Sequence, residues 1–144
     1  MSLCELPKLI SLDKKKKKEF WDPLIKNELS PFKDKEYWYP FVYALAIGYN
    51  KCRPEKLSVK EGTIPGKTIE EKKEIFGFFK AIALIEGGIS VLTDGKEVAR
   101  IVEEYANAGV VLLYKSVFES GNADAIKILE ADTIELLENT NKKK

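Results

Sequence analysis

Five consecutive lysines, Lys14, Lys15, Lys16, Lys17 and Lys18, are followed at once by Glu19, Phe20 and Trp21. Ammonium groups in such a run neutralise phosphates, release condensed counterions and make affinity salt-dependent. The adjacent rings could stack on exposed bases or sit at a lipid interface. The competing reading is a solvated charged segment whose aromatics anchor it to the core, the commoner fate of short like-charge blocks. A second basic cluster holds Lys51 and Arg53, with Lys56 and Lys60 close behind. The planar fork of arginine suits phosphate and carboxylate, and Pro54 stiffens the segment. The five lysines, Lys51 and Arg53 are therefore the candidate nucleic-acid-binding residues.

Other chemistries are weaker in this chain. It contains no histidine and two cysteines, Cys4 and Cys52. Without imidazole, every histidine-dependent triad is excluded, and two distant thiols cannot complete a four-ligand zinc site. Cys52 lies between two cations, which would lower its thiol pKa if it were exposed, but no histidine can serve as its base. A plain structural cysteine is the favoured reading. The carboxylate pairs Glu70-Glu71, Glu103-Glu104 and Glu130 with Asp132 are neighbours in sequence on amphipathic segments, so they read as solvated helix faces. Gly66-Lys67-Thr68 resembles the end of a phosphate-binding loop, but Glu61 stands where the earlier glycine is required and no buried strand is expected before it. No catalytic constellation, metal site or cofactor is expected.

The elements that would position these residues are mostly helical. Proline at positions 7, 23 and 31 divides residues 1–34 into short helical pieces and loops, with residues 20–29 forming a helix if Pro23 sits in its first turn. Asp34 is a credible cap for the aromatic-rich segment 35–49, whose regular helix is expected to begin close to Pro40. Being apolar on nearly all faces, that segment reads as central and buried, with Gly48 opening a loop that runs to Lys67. Thr68 and Glu71 have capping-box spacing and predict a helix start, ended by Gly87-Gly88. Val98, Ile101, Val102 and Tyr105 keep the three-and-four rhythm of a helix over 96–107, capped by Asp94 or Thr93 and stopped by Gly109. Residues 89–92 fit a strand or a helical turn. Residues 110–118 read as a buried helix, with a strand as the alternative, and 123–137 as an acidic amphipathic helix.

Composition places these pieces in one fold of 144 residues, long enough for a single core without staples. The expected fold class is mostly α, a compact domain of about five helices with room for a small two-stranded element. The expected division is a basic N-terminal arm over 1–34, a helical domain over 35–138 and a polar tail over 139–144. A net charge of +1 hides an asymmetry: residues 1–60 hold 13 basic and 8 acidic side chains, whereas 61–141 hold 8 and 15. Such a split field suits a polyanion at one end and a basic partner at the other, or head-to-tail self-association. Apolar runs are far shorter than the roughly 20 residues of a membrane span. With no secretory leader and reduced thiols, a cytoplasmic location is expected.

The run Phe41-Val42-Tyr43-Ala44-Leu45-Ala46-Ile47-Gly48-Tyr49, followed by Lys51, Arg53 and Leu57, resembles the Dnd system-associated protein 4 family. Ile82-Ala83-Leu84, Leu92-Thr93-Asp94 and the segment from Ile101 to Gly109 extend the resemblance over roughly 60% of the chain. Where the family pattern has two consecutive arginines before a proline–leucine pair, this chain has Cys52 and Arg53, with Pro54 and Leu57 apart. The resemblance implies a setting of DNA phosphorothioation and host defence, and supplies no catalytic residues. The expected function is a non-enzymatic accessory protein, with DNA phosphates and a protein of a modification or restriction complex as partners. The alternative is a helical homodimer or protein-interaction module that touches no nucleic acid.

Overall fold

The computed structural model describes residues 4–119. The expected helix at 123–137, the acids Glu130 and Asp132 and the polar tail at 139–144 lie outside the described residues. Within them, 67% of positions are helical, and the fold has five helical elements and one small antiparallel sheet. The mostly α reading is therefore observed.

Strand β1 (Leu9–Asp13) pairs with β2 (Lys60–Pro65) in the register Leu9 to Pro65, Ile10 to Ile64, Leu12 to Glu61 and Asp13 to Lys60, with an irregularity between Ile10 and Ser11. Ile10, Leu12 and Ile64 turn inward and are almost fully buried. The sheet is thus built from residues other than 89–92 and 110–114, where the sequence leaves a strand open. Residues 89–93 form a 3-10 turn, and 110–118 are helical.

Helix α1 spans residues 14–26 and so starts well ahead of Phe20, where the sequence signals place a helix. Asp13 caps it by accepting from the Lys16 amide. Its middle, Lys17–Trp21, is a π-helical turn in which the Asp22 amide bonds to the Lys17 carbonyl. The wider turn accommodates Pro23, whose ring would press on the Glu19 carbonyl in a continuous α-helix. Trp21 and Leu24 reach the core from this helix.

Helix α2 (Trp38–Lys51) begins after a turn in which Asp34 takes φ 64°, so Asp34 closes a loop and caps nothing. Pro40 sits in its first turn, where a missing amide proton is harmless. Helix α3 (Gly66–Glu71) starts two residues before Thr68 without a side-chain cap, so the capping-box signal is not used. A break at Lys72 leads into α4 (Lys73–Gly87). Helix α5 (Gly95–Glu119) follows, with the Glu97 amide reaching Asp94 Oδ1 at 3.3 Å.

Neither Gly48 nor Gly109 ends a helix. Both lie where α2 and α5 cross: a Cβ on Gly109 would lie 2.6 Å from the Gly48 nitrogen and overlap the Ala44 carbonyl oxygen. The side chains of Phe41, Leu45, Val102, Ala106 and Leu113 seal the contact on either side and are almost fully buried. Among the described residues no helix is long and apolar enough to cross a membrane.

Candidate functional site

The end of β1, the start of α1, the segment 52–59 and the middle of α5 meet on one flank. Asp13 is the first fastening: its carboxylate accepts the amides of Ser58 at 2.7 Å, Val59 at 3.3 Å and Lys16 at 3.1 Å. Burial would push its carboxyl up, but these three amides and the Lys16 charge outweigh it, and the net shift is downward. The Lys14 amide adds a bond to the Val59 carbonyl at 2.9 Å.

Asn107 is the second fastening. Buried in α5, it donates from Nδ2 to the carbonyls of Glu55 at 3.0 Å and Lys56 at 3.3 Å, while the Glu55 amide donates to the Glu104 carbonyl at 3.0 Å. Lys16 closes the ring by donating from Nζ to the Asn107 backbone carbonyl at 2.9 Å and pairing with the Glu55 carboxylate. Asn107 Oδ1 is buried without a hydrogen-bond partner among the described residues.

These contacts sort the sequence-derived candidates. Lys16 and Lys17 are half-buried and engaged, Lys17 with Glu61 at 3.5 Å, Asp22 at 3.9 Å and the Tyr37 ring at 5.4 Å. Lys15 is exposed beside Glu19 at 3.9 Å. Lys14, Lys18, Lys51 and Arg53 are exposed, and none has an ion pair among the described residues. Lys51 and Lys16 both lie close enough to Cys52 to act on its thiol.

Burial decides between several of the competing readings. Trp21 is fully buried and stacks on Phe41 at 5.9 Å, and Phe20 meets Tyr114 edge-on at 5.2 Å, so both rings anchor α1 to the core. Glu103 does not belong to a solvated face: it is 4% exposed, accepts the Ser11 amide at 2.7 Å and pairs with Lys60 at 3.3 Å. Burial pushes its carboxyl up despite these partners. Cys4 is buried as well.

Cys52 is half-buried against the Ala108 carbonyl, and burial followed by the Glu55 charge raises its thiol pKa in spite of Lys16 and Lys51. Burial raises the Cys4 thiol as well. Both thiols are accordingly expected to react with iodoacetamide at neutral pH more slowly than free cysteine, with urea restoring the ordinary rate. Equal rates in folded and unfolded protein would contradict this burial.

The strand that precedes Gly66-Lys67-Thr68, β2, is buried only at Ile64, so no buried strand leads into it, as expected. Gly62 also pairs with Ser11 inside β2, and Gly66 is packed against the Pro7 carbonyl, so no open loop is left to wrap a phosphate. Among the described residues no group of three or more acidic or thiol side chains is placed to hold a metal ion.

Residues 13–143 match the family described as DNA sulphur modification system-associated protein 4. The chain belongs to this family. No curated protein and no solved structure matches it. Family membership links the chain to a DNA sulphur modification system as an associated protein. The match begins at Asp13, the residue that fastens the lysine run to the segment carrying Arg53. Sequence reading singles out the cations but misses Asp13, Glu55 and Asn107, which hold them. The available signal is in α5, where Ala99, Glu103 and Asn107 follow one another at intervals of four along an inward-facing column.

Proposed function

We propose that the protein is a non-enzymatic accessory component of a DNA phosphorothioation system, working in the cytoplasm, and that it contacts DNA phosphates through Lys14, Lys15, Lys18, Lys51 and Arg53. What supports this reading is the fastening of two basic segments, distant in sequence, to one flank of α5 through Asp13, Lys16 and Asn107. Exposed cations on two segments tied to one another suit a charged backbone, which is met without base readout.

The test is fluorescence anisotropy of a short labelled duplex, with and without phosphorothioate linkages, at about 50 and about 200 mM salt. Binding is expected at the lower salt and should fade at the higher. Replacing Lys14, Lys15, Lys18, Lys51 and Arg53 by alanine should weaken all sequences alike and flatten the salt slope by about 0.9 for each phosphate that is no longer neutralised. An unchanged slope would show that these cations do not touch phosphate.

A second reading is a protein-interaction module, paired with itself or with a protein of the modification complex. It draws on Leu84, Ile85 and Ile89, which are 39%, 51% and 79% exposed around the end of α4. A mass in light scattering that stays monomeric at all concentrations would count against self-pairing.

A further inference from the structure

The Lys16 side chain is only 19% exposed, whereas that of its partner, Glu55, is 55% exposed. An ammonium has three donors, and the Asn107 carbonyl holds one of them independently of Glu55. The Glu55 backbone is also held independently, its amide by the Glu104 carbonyl and its own carbonyl by Asn107 Nδ2. Apart from Lys16, the carboxylate accepts only a long bond from Asn107 Nδ2 at 3.4 Å among the described residues, so it can swing away by side-chain rotation while the segment 52–59 and Lys16 stay in place. An ion pair with a half-exposed partner is weak enough to exchange.

We infer that Glu55 is a built-in competitor for phosphate: its carboxylate occupies a site at Lys16 that a DNA phosphodiester takes when the carboxylate leaves. A phosphodiester carries the same charge and offers acceptor oxygens of the same kind, so it can replace the carboxylate at the ammonium. Arg53, two residues from Glu55 in sequence, and Lys51, close to Cys52, are exposed cations of the same stretch of chain. The inference rests on the phosphate-contact reading above. It adds that Lys16, though paired in the resting protein, becomes a contact on binding, and that Glu55 sets how tightly DNA is held.

The experiment compares the full chain with E55Q, K16Q and the double variant K16Q/E55Q by anisotropy with a labelled duplex at several salt concentrations. Glutamine at 55 keeps both backbone bonds, and circular dichroism confirms that each variant folds. E55Q is expected to bind on the order of tenfold tighter at about 50 mM salt, with a slope steeper by about 0.9, the signature of one more neutralised phosphate. In the K16Q background the same change should bring no gain, because the ammonium it releases is absent. A gain that persists without Lys16 would mean only that a negative charge was removed, and overturns the inference. Binding by the original chain with no change in E55Q also overturns it while leaving the phosphate reading intact. Absence of binding by both the original chain and E55Q removes both.

Discussion

Gly109→Ala is expected to destabilise the fold by about 3 kcal/mol or more, read as a large fall in the urea midpoint. In an ordinary helix the same change stabilises by up to about 1 kcal/mol, because alanine loses less backbone entropy on folding. Here the new methyl would overlap the Ala44 carbonyl oxygen and lie 2.6 Å from the Gly48 nitrogen and 2.9 Å from the Ala44 carbonyl carbon. All three are backbone atoms of α2, so no side chain can rotate aside and the two helices must separate. Separation loosens the packing that Val102, Ala106, Leu45 and Phe41 share, in a domain whose whole stability is of the order of 5–15 kcal/mol. Gly48→Ala should behave alike, since its methyl would overlap the Tyr105 carbonyl oxygen and lie 3.2 Å from the Gly109 nitrogen. If either variant proved as stable as the original chain, the helices could not cross at these glycines.

The same two glycines show where sequence reading reaches and where it stops. Helix α5 is legible because Val98, Ile101, Val102 and Tyr105 repeat at a local spacing, and the aromatic helix because nearly every face is apolar. Gly48 and Gly109 both carry the local signal of a stop, since glycine is common just past a helix end. Their reason lies in each other, 61 positions apart, and no local window contains it. The sheet is hidden for a related cause: Leu9–Asp13 and Lys60–Pro65 are short, Gly62 weakens the second, and pairing across the chain decides both. Of the candidate site, the cations are visible as residue types. That Lys16 and Lys17 are engaged while Lys14, Lys15 and Lys18 face solvent depends on a π-helical turn and on Glu55, Glu61 and Asn107, none of which the lysine run announces.

Asp13→Ala is expected to lower stability by about 2–3 kcal/mol at neutral pH, because one residue supplies the acceptor for three amides. One is the cap of α1; the other two, Ser58 and Val59, begin the approach to β2. The pH dependence carries the sign that separates this from simple loss of packing. Because the carboxyl is held below its ordinary value in the folded protein, its contribution is fully present above the carboxylate's unfolded pKa and fades as pH falls through the folded one. The gap between the original chain and Asp13→Ala should therefore be widest at neutral pH and narrow on acidification. Glu103 works in the opposite sense: burial raises its carboxyl, so stability tied to its protonation is present at low pH and is lost as pH rises through its folded pKa. Asp13→Asn keeps one acceptor oxygen and should retain part of the cap while losing the charge-assisted hold on Ser58 and Val59. Urea midpoints of the three proteins, taken from neutral pH down to about pH 3, distinguish the cases. A gap that stays constant across this range would show that Asp13 acts through shape alone. A gap that closes on the acid side would place the charge of Asp13 at the junction holding the lysine run against the segment that carries Arg53.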